Sequence, residues 1–108
     1  MNWTVETLNE TVDKELESLP LDMQARFSRV VNLIETFGLN HVGSPHVKHL
    51  ESSLWEIRLA GKSGISRALY VTVEKRRVVV VRVFVKKSQK TPRREIRLAL
   101  ERAKEVEE

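Results

Sequence analysis

Basic side chains that could grip a phosphodiester are concentrated in the second half of the sequence. Residues 58–97 contain thirteen lysines and arginines and only two acids, a net charge of +11, whereas residues 1–37 have a net charge of −4. Arginine binds phosphate through paired hydrogen bonds, and lysine adds a mobile point charge. Because a positive field segregated in this way attracts polyanions, we expect this segment to form a nucleic-acid-binding surface.

Arg67 is unusual because it interrupts an alternating apolar set in a predicted strand. That set is Ile65, Leu69, Val71 and Val73. A guanidinium at such a position has to reach a strand end, a cleft or a partner. Further basic residues lie at the end of the last strand and after it: Arg82, Lys86, Lys87 and Lys90. If these converged with Arg58 and Arg67, they could stabilise the charge of a pentacoordinate phosphorus. The spacing alone favours phosphate binding without catalysis, and a solvated sheet edge protected by charge is a further alternative.

Three histidines, His41, His46 and His49, lie with Lys48 in a polar segment. Histidine titrates near neutral pH and suits general acid–base catalysis, although a histidine in a loop is more often a solvated polar residue. No carboxylate lies near them at a recognised metal-ligand spacing, so we expect no metal site.

The aromatic residues allow two interpretations. Tyr70 and Phe84 lie in predicted strands, where each could stack on a nucleobase or belong to the core. Trp3 and Trp55 are expected in the core.

Hydrophobic periodicity predicts the helices that must position these side chains. Apolar residues at helical spacing predict two helices, with Asn9 as the cap of the first and Pro20 at the first position of the second. Gly38 would end the second helix. Residues 39–53 are expected to form a loop. After a polar connector, Thr91 and Pro92 would cap and start a last helix.

Alternating apolar residues predict the strands. A short first strand is expected at 3–8, and three later strands at 54–60, 65–74 and 78–85 would form an antiparallel meander. The valines at 78–81 favour a central strand that is covered on both faces. The order β-α-α-β-β-β-α predicts one α+β domain over residues 1–108, with a helical hairpin packed on an antiparallel sheet.

Composition excludes several classes of protein. The sequence has no cysteine, which excludes a disulfide framework and a thiolate metal site. The first ten residues lack the basic start and apolar core of a signal peptide. The longest apolar run, Val78–Val81, is far too short to cross a membrane. We therefore expect a cytoplasmic protein without membrane contact.

Three segments resemble the phage Gp49-like branch of the RelE/HigB toxin superfamily. They are VKHLESSLWEIRL at 47–59, SRALYVTV at 66–73 and VVVVRVFVKKSQKTPRREIRLAL at 78–100. The most specific phrase is Phe-x-Lys-Lys-x-x-Lys-Thr-Pro-x-x-Glu-Ile, which starts at Phe84. The resemblance spans residues 20–105 and implies a RelE/ParE-like fold.

The resemblance also implies a function. Such proteins are toxins of type II toxin–antitoxin systems, and they cut mRNA on the ribosome without a metal or other cofactor. The 2′-hydroxyl of the RNA attacks the adjacent phosphate and leaves a 2′,3′-cyclic phosphate. The implied partners are the ribosome with its mRNA and a helix-turn-helix antitoxin of the HigA type. Two alternatives stay open: a ParE-like toxin that acts on DNA gyrase, and a phage-derived nucleic-acid-binding module without catalysis.

Catalytic roles follow from the resemblance residue by residue. Arg67 would hold the scissile phosphate, with Arg58 as a basic position on the preceding strand. Lys86 and Lys87 would stabilise transition-state charge or protonate the leaving group. Lys48 and His49 match positions where related HigB proteins have basic or acid–base residues. The surrounding RNA contacts are expected from Arg76, Arg77, Arg82, Lys90, Arg94 and Tyr70.

The sequence departs from the family pattern at one place. Several relatives have a tyrosine near the last helix, where this sequence has Pro92 and Arg93, and Tyr70 is its only tyrosine. The general base therefore stays open among Lys48, His49 and Lys87.

Overall fold

The structure, a computed structural model, describes residues 2–42, 47–87 and 89–106. The elements in chain order are β1 (Thr4–Thr7), α1 (Glu10–Glu17), α2 (Leu21–Phe37), a short 3-10 helix (Leu39–His41), β2 (Val47–Glu51), β3 (Leu54–Gly61), β4 (Gly64–Val73), β5 (Arg77–Val85) and α3 (Arg93–Ala103). The predicted α+β class is confirmed, and the order differs from the prediction by one additional strand, β2.

The strands form one sheet in the order β1-β5-β4-β3-β2. Strands β2 to β5 pair antiparallel with their neighbours, which confirms the predicted meander and extends it by β2. β1 pairs in parallel with the first half of β5, from Thr4 opposite Arg77 to Thr7 opposite Val80. The sheet is therefore mixed, because the N-terminal strand adds one parallel pairing to the predicted antiparallel sheet.

The prediction of a loop over residues 39–53 was wrong for most of that segment, which contains the 3-10 helix and β2. In β2, Lys48 lies opposite Glu56 and His49 lies opposite Trp55. No residue of β2 is fully buried. An edge strand can carry charged residues because much of it faces water, so its sequence lacks the apolar alternation that marks a buried strand. Residues 43–46, including His46, lie outside the described residues.

Helices cover both faces of the sheet. On the first face, α1 and α2 bury a core that includes Val12, Met23, Ile34, Tyr70 and Val80. On the second face, α3 packs against β5 and β4 around Leu69, Val79, Val81 and Ala99. β5 is therefore covered on both faces, as predicted, although β4 has the middle position in the sheet.

Local signals set the helix ends. The side chain of Asn9 accepts a hydrogen bond from the Val12 amide at 3.1 Å, which is the predicted cap. Pro20 lies one residue before α2 rather than at its first position. Gly38 ends α2 with φ at 96°, a backbone region that favours glycine. No helix in the described part of the chain is long and apolar enough to cross a bilayer.

Trp55 is less buried than its strand pattern predicts. Its side chain is 37% exposed, and its ring lies 4.9 Å from the ring of His49. Trp55 points to the first face, but it pairs with edge strand β2, so the core covers it only in part. The prediction of a core position was wrong for Trp55, whereas Trp3 packs against the core while partly buried.

Candidate functional site

Basic side chains from neighbouring strands meet on the second face of the sheet. Arg58 on β3 lies directly opposite Arg67 on β4, and Arg67 lies opposite Phe84 on β5. Lys86 follows two residues later, and its amide donates to the carbonyl of Ile65 at 2.8 Å. Because directly paired residues of adjacent strands point to the same face, Arg58, Arg67 and Lys86 form one cluster, the basic site.

The charges in the basic site affect one another. Partial desolvation, followed by the positive charges of Arg67 and Arg58, lowers the pKa of Lys86 below its ordinary value of 10.5, while the carboxylate of Glu56 opposes this shift. These charge effects indicate that Lys86 lies within electrostatic range of both Arg67 and Arg58. A phosphate bound among them would relieve that repulsion, so the arrangement suits an anionic ligand.

Arg67 is far less accessible than a surface phosphate binder. The residue is 5% exposed. One terminal nitrogen donates to the Gln89 carbonyl at 2.7 Å, and the other donates to the Thr91 hydroxyl and lies 3.5 Å from a Glu56 oxygen. The side chain therefore reaches the residues that follow β5. This placement supports a role in holding that segment, and a direct contact of Arg67 with RNA stays a proposal.

The two β2 candidates are on opposite faces of the sheet. Lys48 is exposed and pairs with Glu56, so it lies on the face of the basic site. His49 is the next residue along the strand, points to the other face, and approaches the Ser52 carbonyl at 2.7 Å through Nε2. The structure thus brings Lys48 towards the basic site and places His49 away from it.

Lys87 and Arg94 line a groove of about 410 Å³ beside the basic site. The end of α1, the last part of β5 and the start of α3 form its walls, and Phe84 contributes to its lining. Both basic side chains are exposed. Lys90, also exposed, lies between them in the segment that joins β5 to α3. Lys87, a predicted catalytic residue, and the predicted RNA contacts Lys90 and Arg94 are therefore near the basic site.

The three other arginines predicted to contact RNA are either distant from the basic site or engaged in ion pairs. Arg76 and Arg77 are at the β4–β5 turn, at the opposite end of these strands from Lys86, and Arg77 pairs with Glu6 at 2.6 Å. Arg82 forms ion pairs with Glu15 at 2.8 Å and Glu95 at 2.7 Å. The hairpin geometry separates Arg76 and Arg77 from the basic site. Arg82 lines the groove beside that site, but its guanidinium is engaged by the carboxylates of Glu15 and Glu95.

Tyr70 does not fit the predicted role of base stacking. Its side chain is 1% exposed in the core of the first face, and burial raises its pKa to about 12. The alternative interpretation, a core tyrosine, is correct. The aromatic residue next to the basic site is Phe84, which is partly buried.

Two residues of the site were missed by the sequence interpretation. Glu56 is 4% exposed and accepts a hydrogen bond from Thr91 at 2.5 Å. Thr91 was expected to cap the last helix, but Pro92 is at the cap position, and the Thr91 hydroxyl bonds to Glu56 and Arg67 instead. The position of Arg67 in an apolar strand could have indicated Glu56, because a buried guanidinium requires an acidic partner. Glu56 lies two residues before Arg58 and on the same face of the preceding strand. No group of three potential metal ligands occurs among residues 2–42, 47–87 and 89–106.

Comparisons with known proteins agree with this architecture. The family model "Phage derived protein Gp49-like" matches residues 14–104. A chain in the crystal structure of the archaeal RelE–RelB complex from Pyrococcus horikoshii OT3 is similar, with a TM-score of 0.57 and 22% identity over 79% of this chain and 96% of that chain. No curated protein matches significantly. The structural likeness shows a RelE-like fold. Because the family match spans most of the sequence, the protein belongs to the phage-derived Gp49-like family.

Proposed function

We propose that this protein is the toxin of a type II toxin–antitoxin pair and cuts mRNA on the ribosome without a metal. The observation that carries the proposal is the basic site, where Arg58 and Arg67 lie close enough to Lys86 to lower its pKa. Membership of the Gp49-like family supports the assignment to a class of toxins. The proposed location is the cytoplasm, where ribosomes and mRNA are found.

The proposed reaction needs no nucleophile from the protein. The 2′-oxygen of the RNA attacks the adjacent phosphorus, the bond to the 5′-oxygen breaks, and the products are a 2′,3′-cyclic phosphate and a 5′-hydroxyl. Negative charge increases on the non-bridging oxygens as the phosphorus becomes pentacoordinate, and Arg58 and Lys86 would stabilise it. A lysine with a lowered pKa also suits proton transfer to the leaving oxygen. DNA lacks the 2′-hydroxyl and would not be cut.

We choose candidates for the general base by asking which residues lie on the same face of the sheet as the basic site. Tyr70, the only tyrosine, is buried on the first face, and His49 points to that face as well. Lys48 shares the face of the basic site, and Lys87 lies in the neighbouring groove. We therefore favour Lys48 or Lys87 over His49 as the group that removes the proton from the 2′-hydroxyl.

An antitoxin is part of the proposal. A similar solved structure is a RelE–RelB complex, which supports a protein partner for this chain. By family resemblance the partner would be a helix-turn-helix protein of the HigA type, and it would inhibit the toxin by covering the basic site or by preventing entry into the ribosome.

A ParE-like toxin that acts on DNA gyrase is the second candidate. The two terminal nitrogens of Arg67 are engaged by Glu56, Gln89 and Thr91. Tyr70 is buried, so the site lacks an accessible tyrosine hydroxyl. A protein with this arrangement could bind an anionic surface without cutting RNA.

The test is an in vitro cleavage assay with programmed ribosomes. Wild-type protein is expected to cut the mRNA and leave a 2′,3′-cyclic phosphate, and Arg58→Ala and Lys86→Ala are each expected to lose cleavage by about 100-fold or more, as is typical when a transition-state charge partner is removed. Arg29→Ala, which removes an exposed arginine from α2 on the other face, is the matched control and should cut normally. Uncut mRNA with the wild type would contradict the proposal.

A further inference from the structure

A buried cluster of Glu56, Arg67 and Thr91 joins the sheet to the segment between β5 and α3. We call residues 86–92 the connector; Ser88 is outside the described residues. The side chains of Glu56 and Arg67 are each 6% exposed. The Thr91 hydroxyl accepts from Arg67 and donates to Glu56, and the Gln89 carbonyl accepts from Arg67 at 2.7 Å. Two strands and the connector therefore share one hydrogen-bond network.

Burial of this charged pair depends on the connector. Two charges removed from water are tolerated only when their geometry is good and additional hydrogen bonds satisfy them. Glu56 and Arg67 are not in tight contact, since their closest atoms are 3.5 Å apart. Thr91 bridges them, and Gln89 satisfies another donor of Arg67. The network thus favours one position of the connector, because any other position would leave buried charge unsatisfied.

The connector carries Lys86 and Lys87 and is held at both ends. At its start, the amide of Lys86 donates to Ile65 at 2.8 Å. Near its end, Thr91 and Gln89 attach it to Arg67. The charged groups that act on Lys86 are Arg58 and Glu56 from β3 and Arg67 from β4.

We propose that Glu56 and Thr91 are positioning residues, which act through Arg67 to hold the connector so that the Lys86 ammonium lies beside Arg58 at the phosphate site. This inference rests on the proposed function, since it assigns how the site for RNA cleavage is kept in order. It explains why an acid, which would repel RNA, lies at the centre of a basic face: Glu56 is buried and neutralised by the network. The role differs from that of Arg58 and Lys86, which would touch the substrate.

The first test removes only the bridging hydroxyl. Thr91→Val keeps the size of the side chain, Thr91→Ser restores the hydroxyl, and Thr72→Val makes the same change at an exposed position on β4. We expect faster hydrogen exchange of the Lys86 and Lys87 amides in Thr91→Val, with wild-type exchange in the other two variants. In the ribosome assay, kcat should fall by about 10- to 100-fold in Thr91→Val with KM little changed, because a small misplacement of a reacting group has an effect of this size.

The second test removes the buried negative charge. Because the carboxylate of Glu56 opposes the lowering of the Lys86 pKa, Glu56→Gln should lower that pKa further. An NMR titration of the Lys86 side-chain ammonium measures the shift without any need for RNA. A defect in stability alone would not move this value.

The outcomes separate this inference from the proposed function. Wild-type exchange rates at Lys86 and Lys87 in Thr91→Val, or an unchanged kcat in that variant, would overturn the positioning role. If Thr91→Val does not fold, the same exchange measurement on Glu56→Gln decides the question, and wild-type exchange of the Lys86 and Lys87 amides in that variant would overturn the positioning role. Faster exchange in Thr91→Val together with a wild-type protein that cuts no RNA would contradict the proposed function while leaving the network as a structural feature.

Discussion

Lys86 is the residue on which the proposed chemistry depends most. Desolvation and the charges of Arg67 and Arg58 lower its pKa below 10.5, so it releases its proton more readily than an ordinary lysine. A lysine in this state can bind a phosphate while charged and can also exchange a proton during the reaction. Arg58 and Arg67 cannot take the second role, because guanidinium groups stay protonated in proteins.

The affinity of the protein for RNA should therefore depend on pH. Lys86 attracts phosphate only in its charged form, which predominates below its pKa. As pH rises through this lowered pKa, affinity should fall, and the fall should begin at a lower pH than for a lysine that titrates at 10.5. Fluorescence anisotropy with a short RNA, measured between neutral and alkaline pH, gives the profile. Lys86→Arg should remove this phase of the fall, and a profile identical to that of the wild type would contradict the assignment.

Substitution of Tyr70 should leave RNA cleavage unchanged. Because its side chain is 1% exposed on the opposite face from the basic site, its hydroxyl has no part in the proposed reaction. Tyr70→Phe should cut mRNA at the wild-type rate in the ribosome assay and arrest growth to the same extent. A loss of cleavage in a folded Tyr70→Phe protein would show that the only tyrosine serves as the acid–base group after all.

Glu15 of α1 and Arg102 of α3 attach these two helices to the edge of β5, and we call this set of contacts the joint. β1 covers the edge of β5 only from Arg77 to Val80. Beyond Val80, side chains instead of a neighbouring strand bond to the backbone of β5. Glu15 accepts from the Val83 amide at 3.1 Å, and Arg102 donates to the Val81 carbonyl at 2.9 Å. Arg102 also pairs with Glu15 at 2.8 Å. These charged groups satisfy the exposed edge and attach both helices to the strand that leads to Lys86.

Glu15 should make the stability of the fold dependent on pH. Burial acts to raise the pKa of Glu15, but hydrogen bonds from Arg102 and Val83 and the charges of Arg82 and Arg102 outweigh it, so the pKa lies below 4.5. A lowered pKa means that this stabilisation is fully present above pH 4.5 and is lost as pH falls through the folded-state value.

Glu15→Gln should lower the free energy of unfolding by about 1–3 kcal/mol at pH 7, the range for a charged hydrogen-bonding group that is largely buried. Urea unfolding at pH 7 and at about pH 3 should show that the difference from wild type becomes smaller in acid, because protonated Glu15 loses the same interactions. Glu10→Gln on the same helix is the control, since its ion pair with Lys14 is exposed and should contribute little. If both variants lost the same free energy of unfolding, the contacts of Glu15 in the joint would not be the cause of the loss in Glu15→Gln.

Most helices and strands could be predicted from the sequence, but the edge strand β2 and the pairing of β1 with β5 could not. Helices and central strands bury apolar faces, so their periodicity is visible, as in the alternation around Ile57 and the valines of β5. Edge strand β2 has no such pattern, and the parallel pairing of β1 depends on how the helices return the chain to the sheet. In the site, strand parity identified Arg67 as unusual, but its partners Glu56, Gln89 and Thr91 depend on strand register and on the path of the connector, which periodicity does not specify.

The charge of the whole molecule is less available to RNA than the sequence suggests. Of the thirteen basic residues in 58–97, Arg67 and Arg82 are engaged with buried or partly buried acids, and Arg77 pairs with Glu6. The basic site contains Arg58 and Lys86; Lys87 and Arg94 line the neighbouring groove, and Lys90 lies in the connector. We expect these five cations to contact RNA. The basic surface is thus a local site on one face near α3, rather than a stripe along the whole segment.

This difference predicts the salt dependence of RNA binding. About five phosphate contacts give a slope of about −3.5 in log affinity against log salt concentration, since each contact to a single strand contributes about −0.7. Arg58→Ala should make the slope shallower by about 0.7, whereas Arg76→Ala, at the far end of the sheet, should leave it unchanged. A slope near the value for thirteen contacts, or equal effects of the two variants, would contradict the localised site.

Mapping the 5′ ends of cellular mRNA after brief expression would show whether the protein cuts mRNA in the cell. The wild-type protein should produce new ends that bear a 5′-hydroxyl and recur in phase with codons, and these ends should be absent after expression of folded Lys86→Ala. Intact mRNA in cells that stop growing, particularly with DNA breaks linked to gyrase, would contradict RNA cleavage by the basic site and favour the second candidate.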